Sequence, residues 1–306
     1  GRETGRETGR ETGRETGRET GREARIGVET AMDSMGIEPL TPTIGAEITG
    51  VDLRKPLSDE AVAQIEQALL DHLVVFFRGQ DITPAQQIAF GRRFGELCYP
   101  PFMTDHGEDP EVLVLDQVDP RGEGTDVWHS DNSFMAEPPM GSILKAIQLP
   151  ASGGDTCFAS AYAAWEALSP ALQSMLEGLT AIHDLTATLE RANAAGHTNA
   201  DIRAVLEKSP PVEHPVVRTH PRTGRKALFV NANSTTRLVG LTPRENALLL
   251  PFLCDHIRAP EFQCRFRWTP NAIAFWDNRS AQHLAVADYR ERRVMHRVTL
   301  AGDKPF

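Results

Sequence analysis

The sequence predicts a mainly β protein with flanking helices, α+β in class, arranged as a β-sandwich or barrel. Two observations carry this. Short apolar or alternating runs of strand length recur at 73–77, 142–148, 272–276 and 294–300. The segments with helical spacing are few, and they suit helices laid over a sheet rather than helices packed on one another.

The elements follow in order. The chain opens with five copies of Gly-Arg-Glu-Thr and then Gly-Arg-Glu. A four-residue unit is too short for a solenoid, glycine at every fourth position opposes a helix, and nothing apolar is available to bury. Residues 1–23 are therefore read as a disordered repeat tail or artefact, and 24–38 as a lead-in. A strand and turn follow at 43–53. Ser58-Asp59-Glu60 opens a helix to about His72, with Val62, Ile65, Leu69 and Leu70 at helical spacing. The run 73–77 is a buried strand, and Thr83-Pro84 starts a second helix through Phe94. Residues 98–110 hold three Pro and one Gly, and read as a loop. Strands are expected at 111–115, 142–148 and 156–159, an extended segment at 125–131, and helices at 162–168 and 170–177. Residues 185–208 are polar, Ala-rich and long for a connection, which means a helical excursion or a lid over an active site. Strands near Val216, Leu228 and Val230 come next, then a helix at 243–257 with Thr242 as its cap. Strands at 264–268, 272–276 and 294–300 close the chain.

Composition narrows the function. The 32 Lys and Arg against 42 Asp and Glu leave a net charge of −10, and the repeat contributes nothing to it because its six Arg and six Glu cancel. An acidic chain without a basic run is a poor partner for nucleic acid or an anionic membrane. No apolar run approaches the roughly 20 residues a membrane helix needs, and no apolar leader segment stands at the N-terminus. Cys98, Cys157, Cys254 and Cys264 show no Cys-x-x-Cys pairing. Neither a disulfide scaffold nor a Cys-ligated zinc site is expected, and the expected location is cytoplasmic. A homo-oligomer stays open.

The chemistry starts at Trp128-His129-Ser130-Asp131. In an extended strand, residues two apart point to one face, so His129 and Asp131 can reach one metal ion. Chance places one or two His-x-acid triplets in a chain with ten His and 42 acidic residues among 306, and there are two. The other, His106-x-Glu108, sits among turn residues that do not hold two side chains on one face. A third ligand must come from elsewhere, and His283 is the candidate. Two His and one carboxylate leave the opposite face of an ion open, as in non-haem Fe(II) enzymes that bind O2. Beyond it, Arg293, Met295, Arg297 and Thr299 share one strand face, and Val294, His296, Val298 and Leu300 the other. Either this is an edge strand with a solvated basic face, or the arginines point inward and need anionic partners there.

At this point the chain resembles the Fe(II)/2-oxoglutarate-dependent dioxygenases of the TauD/TfdA family, the taurine dioxygenases in particular. The likeness runs from about Leu40 to Phe306. It includes Ile44-Gly45-Ala46-Glu47-Ile48, Val74-Val75-Phe76-Phe77-Arg78, Arg93-Phe94-Gly95-Glu96-Leu97, Trp128-His129-Ser130-Asp131 and Gly153-Gly154-Asp155-Thr156. It continues through His214-Pro215-Val216-Val217-Arg218-Thr219-His220-Pro221, Trp276-Asp277-Asn278-Arg279 and Gly302-Asp303-Lys304-Pro305-Phe306. The resemblance implies a double-stranded β-helix, a jelly-roll form, for one dioxygenase domain at 39–306 with a lid at 185–208. It implies Fe(II) on His129, Asp131 and His283, with O2 and 2-oxoglutarate as co-substrates. Arg293 and Thr156 would hold the far carboxylate of 2-oxoglutarate, and Arg297 the anion of a small organic substrate. The substrate would be an organosulfonate hydroxylated next to sulfur, releasing sulfite and an aldehyde with succinate and CO2. The alternatives are the same chemistry on an alkyl sulfate or aryloxyalkanoate, and a non-catalytic barrel binding protein. A zinc hydrolase on the same ligands would leave Arg293 and Thr156 without an anion.

The substrate pocket departs from the family. Pro100 and Met103 stand where a sulfonate-contacting histidine and a tyrosine are found, Thr125 where an asparagine is, and Ser234 where a phenylalanine is. Asn132, beside the Asp131 ligand, completes the expected substrate-binding set.

Overall fold

The computed structural model describes residues 35–99 and 109–306. The repeat, most of the lead-in, and Pro100, Met103, His106 and Glu108 lie outside the described residues. Gly36–Pro39 (β1) pairs antiparallel with Ala46–Thr49 (β2), so a strand occupies the last residues of the sequence-read lead-in. Ser58 accepts from the Ala61 amide and starts helix α1 (Asp59–His72) where expected. The helix stops on Leu73, whose left-handed φ of 66° turns the chain straight into β3 (Val74–Phe77). A reciprocal capping box between Thr83 and Gln86 opens α2 (Pro84–Arg92). The remaining elements are β4 (Leu97–Cys98), β5 (Leu113–Gln117), β6 (Gly141–Gln148), β7 (Thr156–Ser160), α3 (Ala161–Glu166) and α4 (Pro170–Leu176). Then come β8 (Thr180–His183), α5 (Thr186–Ala194), α6 (Ile202–Lys208), β9 (Val212–Pro215), β10 (Val217–Thr219) and β11 (Lys226–Leu228). The chain ends through β12 (Thr235–Leu238), α7 (Pro243–His256), β13 (Gln263–Phe266), β14 (Ile273–Asp277), β15 (Ala281–Ala285) and β16 (Arg293–Leu300).

An eight-stranded sheet runs β1-β2-β3-β14-β6-β16-β4, with β5 also on β16. A three-stranded sheet, β13-β7-β15, faces it, and β12-β8-β9 and β10-β11 form smaller sheets. The large sheet is apolar on both faces, and the period of two sorts its side chains into two cores. Val74 and Phe76 enter the core between the sheets, with Leu144, Trp276 and Met295, opposite Phe158 and Phe266. Val75 and Phe77 enter the core under the helices, with Ile143, Phe275 and Val298, opposite Ile65, Leu69, Ile88 and Phe90. Phe76 and Phe266 stack at 4.0 Å between centroids, joining the two sheets face to face.

Several expectations change. β16 is not an edge strand, because β6 lies on one side and β4 and β5 on the other. Its arginine-bearing face turns to the core between the sheets, so the solvated basic face is ruled out. Residues 125–131 do not form a strand; His129 makes a single bridge, to His283. Val230 follows β11 rather than belonging to it, and β8, β12 and β15 were not anticipated. The segment 185–208 is a helical excursion, made of α5 and α6.

Candidate functional site

The bridge between His129 and His283 begins the site. The His129 amide donates to the His283 carbonyl at 3.1 Å, and the reverse bond is 2.9 Å. Residues directly opposite in an antiparallel pair present side chains on the same face. The two imidazoles accordingly stand side by side, with centroids 4.2 Å apart. Asp131 comes round from the following turn. Its Oδ1 lies 3.7 Å from His129 Nε2 and 3.7 Å from His283 Nε2. The three ligand atoms all lie within 4.8 Å of one another, and all three residues are buried.

The surroundings set the protonation. His129 Nδ1 lies 2.7 Å from the Val127 carbonyl, which can only accept, so that nitrogen carries a proton and Nε2 is the atom turned to Asp131. Burial, and then the neighbouring His129, lower the His283 pKa to about 3, so that ring is neutral. Burial alone would raise the Asp131 pKa; the Arg297 guanidinium heads the neighbours that outweigh it and hold the carboxyl far below the usual carboxylate range. The result is two imidazole nitrogens and one carboxylate oxygen gathered about one point. That donor set suits a divalent non-haem metal with its opposite face open.

The carboxylate is held from every side. Ser142 on β6 donates to Oδ2 at 2.9 Å, and Arg297 on β16 donates to Oδ1 at 3.2 Å. The Asn278 side chain accepts from the Asp131 amide at 2.7 Å and donates to its carbonyl at 2.9 Å. The turn continues through Asn132 at φ 50° to Ser133, whose hydroxyl meets Asn231 at 2.9 Å and His183 at 3.1 Å. His214 then reaches the Met135 carbonyl at 2.9 Å. Residues 131, 133 and 135 are thus tied to three different parts of the fold.

Arg293 and Thr156 come together at another end of the site. Arg293 is 3% exposed, and its Nε and Nη2 have no hydrogen-bond partner. An unpaired buried guanidinium is costly, and such a site is completed by an anion. The Thr156 hydroxyl accepts from Trp268 Nε1 at 3.0 Å, which leaves its own proton free to donate. Trp268 also lies beside Arg293, 5.9 Å from ring centroid to guanidinium carbon.

The expected substrate residues divide. Arg297 is half-buried against Asp131 and keeps a buried, unpaired Nε. The Thr125 carbonyl accepts from Ala285, two residues past His283, and its hydroxyl is buried without a partner. Ser234 is buried in a turn whose amides at 233 and 234 donate to the Asn231 side chain. That turn meets the Thr125 strip at Gly124, where an added Cβ would lie 3.5 Å from Asn233 Oδ1. Asn132 is half-buried beside the ligand turn, and Pro100 and Met103 lie outside the described residues. Asn278 and Ser142 were missed from the sequence. Asn278 stands inside a quoted motif, but nothing local says that its side chain turns back to Asp131.

The chain is similar to several known proteins. The family described as taurine catabolism dioxygenase TauD, TfdA matches residues 36–299. A Pseudomonas putida alpha-ketoglutarate-dependent sulfate ester dioxygenase is 35% identical over 280 residues, 89% of this chain and 91% of that protein. A Cupriavidus pinatubonensis alpha-ketoglutarate-dependent 2,4-dichlorophenoxyacetate dioxygenase is 35% identical over 288 residues, 88% of this chain and 99% of that one. A crystal structure of a taurine dioxygenase from Burkholderia xenovorans superposes with a TM-score of 0.76 at 37% identity, covering 89% of this chain and 92% of its own.

Proposed function

This chain belongs to the taurine catabolism dioxygenase TauD, TfdA family, and from that premise we propose that it hydroxylates a small anionic organosulfonate next to sulfur, releasing sulfite and an aldehyde. It is an Fe(II)/2-oxoglutarate-dependent dioxygenase, with O2 as the second co-substrate. The observation that carries the site assignment is the convergence of His129, Asp131 and His283 on one point, near a buried arginine face that lacks an anion. In this reading the three residues hold the iron. When bound, iron with 2-oxoglutarate and O2 supplies the oxidation, yielding succinate and CO2.

The chain's own groups do the rest. His129 and His283 offer ring nitrogens, and Asn278 and Ser142 keep Asp131 from rotating away. Arg293 and Thr156 orient 2-oxoglutarate by its far carboxylate. Arg297 draws the substrate anion toward the metal side of the pocket, and Thr125, Asn132 and Ser234 shape the other side. Pro100 and Met103 are assigned from the sequence alone. Proline lacks a side-chain donor, methionine is apolar and adaptable, and serine is smaller than phenylalanine. A sulfonate with a bulkier, uncharged tail is therefore expected to outperform taurine. The two facing sheets support the double-stranded β-helix as the finer description, and the resemblance alone supports 39–306 as the catalytic domain and the 185–208 excursion as a lid.

Alkyl sulfates and aryloxyalkanoates form the second reading, favoured by the substrates in the names of the two relatives above. The test is succinate formation across sulfonates, sulfates and aryloxy acids, with and without Fe(II). Faster turnover of taurine than of every bulkier sulfonate removes the pocket argument. Turnover confined to sulfates or aryloxy acids selects the second reading.

A further inference from the structure

Among the described residues, the groups around Arg293 are the hydroxyls of Tyr289 and Thr156 and two carboxylates engaged by Arg265. Tyr289 is buried, and its hydroxyl lies beside the guanidinium without a well-formed hydrogen bond to it or to any other group. Thr156 has a proton to give, because its oxygen already accepts from Trp268. The nearby carboxylates are occupied elsewhere. Arg265 binds Asp155 at 2.7 Å and approaches Asp288 at 3.6 Å, and Asp288 also accepts from the Gly154 amide at 2.8 Å. Arg265 therefore takes up both carboxylates, and Asp155 reaches Arg293 only through space.

Gly154 makes the arrangement fit. It sits at φ +72°, and a Cβ there would come within 3.1 Å of Arg293 Cδ and 3.3 Å of Tyr289 Cδ1. Both side chains thus rest against one bare Cα. Burial raises the Tyr289 pKa more than Arg293 lowers it, so the hydroxyl keeps its proton at neutral pH. A phenol oxygen that accepts from Arg293 must still place its own proton, and among the described residues that hydroxyl has no hydrogen-bond partner.

We propose that Tyr289 is a further binding residue for 2-oxoglutarate, donating its hydroxyl to the carboxylate remote from the metal. The proposal rests on the assignment of that carboxylate to Arg293 and Thr156. It adds a third side-chain donor, which matches an anion whose two oxygens offer several lone pairs.

The test uses the full chain loaded with Mn(II) under anaerobic conditions, so no turnover occurs. Binding of 2-oxoglutarate is compared with that of 2-oxovalerate, which carries a methyl group in place of the far carboxylate. Tyr289→Phe is expected to weaken 2-oxoglutarate about tenfold, the size of one hydrogen bond to a charged group, and to leave 2-oxovalerate and Mn(II) affinity unchanged. An equal loss for both acids would mean that Tyr289 only packs, and an unchanged 2-oxoglutarate affinity would remove it from the site; either overturns the proposal. Arg293→Ala is the control for the underlying assignment and is expected to abolish discrimination between the acids. If that variant still prefers 2-oxoglutarate by the wild-type ratio, the carboxylate site is elsewhere and both readings fall.

Discussion

Asp131 is the residue on which most of the site depends. Its backbone is clamped by Asn278 and its carboxylate by Ser142 and Arg297, so the ligand oxygen is aimed before any metal arrives. Asn278→Ala is expected to weaken Fe(II) or Mn(II) binding by about 10–100-fold, since outer groups that orient a ligand carry that much of the affinity. A metal titration checks this, and an unchanged affinity means that Ser142 and Arg297 suffice. Replacing His129, Asp131 or His283 by Ala should abolish substrate-stimulated succinate formation, because three ligands leave no spare; near-normal turnover in one variant removes that residue from the centre. The His129-x-Asp131 spacing was legible in the sequence, but its proposed cause was incomplete. Strand alternation was to aim both residues, whereas a bridge across to His283 aligns the imidazoles and a turn brings Asp131 round. That bridge joins residues far apart in sequence, so no local pattern could announce it.

Among elements, β3 shows what a short strand can do when both faces are buried. All four of its residues are buried, and Phe76 stacks on Phe266 of the opposite sheet. Phe76→Ala is expected to cost about 3–5 kcal/mol, through lost burial and the cavity left between the sheets. Urea unfolding measures it, and a loss below about 1 kcal/mol would mean that the sheets close over the gap. The run of apolar residues at 73–77 made this strand readable, and Ser58, Thr83 and Thr242 made the starts of α1, α2 and α7 readable through their caps. β8 and β12 were not readable. Each is short and mixed, and His183 and Thr235 are buried there because they face Ser133 and each other, not because they are apolar.

For the whole molecule, the site is a seam between layers. Arg293 and Arg297 come from the large sheet and His283 and Thr156 from the sheet facing it, so a metal on His283 with a keto acid held by Arg293 would tie one side to the other. Mn(II) with 2-oxoglutarate is expected to raise the melting temperature, and to lose that effect in His283→Ala, because a ligand that binds only the folded state stabilises it by mass action. An equal rise in the variant would place the ions elsewhere. Acid should act in the opposite sense. Burial, with His214 beside it, lowers the His183 pKa to about 3, against roughly 6.5 in the unfolded chain. Above the unfolded value neither state is charged; as pH falls toward the folded value only the unfolded chain binds the proton, so stability declines by up to about 1.4 kcal/mol per pH unit from this residue. His183→Asn should flatten the decline between about pH 6.5 and pH 4, measured as unfolding free energy against pH. An unaltered slope would mean that His183 titrates normally. Below that range Asp131 and Asp277, both held under the ordinary carboxylate value, lose stability in the same direction as they are protonated.

The alternation of β16 also constrains how the gene can change. Arg293, Met295 and Arg297 turn to the seam only while the strand keeps its register on β6. Losing one codon between His283 and Arg293 can leave the sheet's ladder of hydrogen bonds nearly whole and still send both guanidiniums to the helix side, with Val294 and Val298 in their place. Such a descendant would fold, express and bind no keto acid. Length variation among descendants should therefore collect in the α5–α6 excursion, while the stretch from His283 to Arg293 keeps its residue count even as its letters drift.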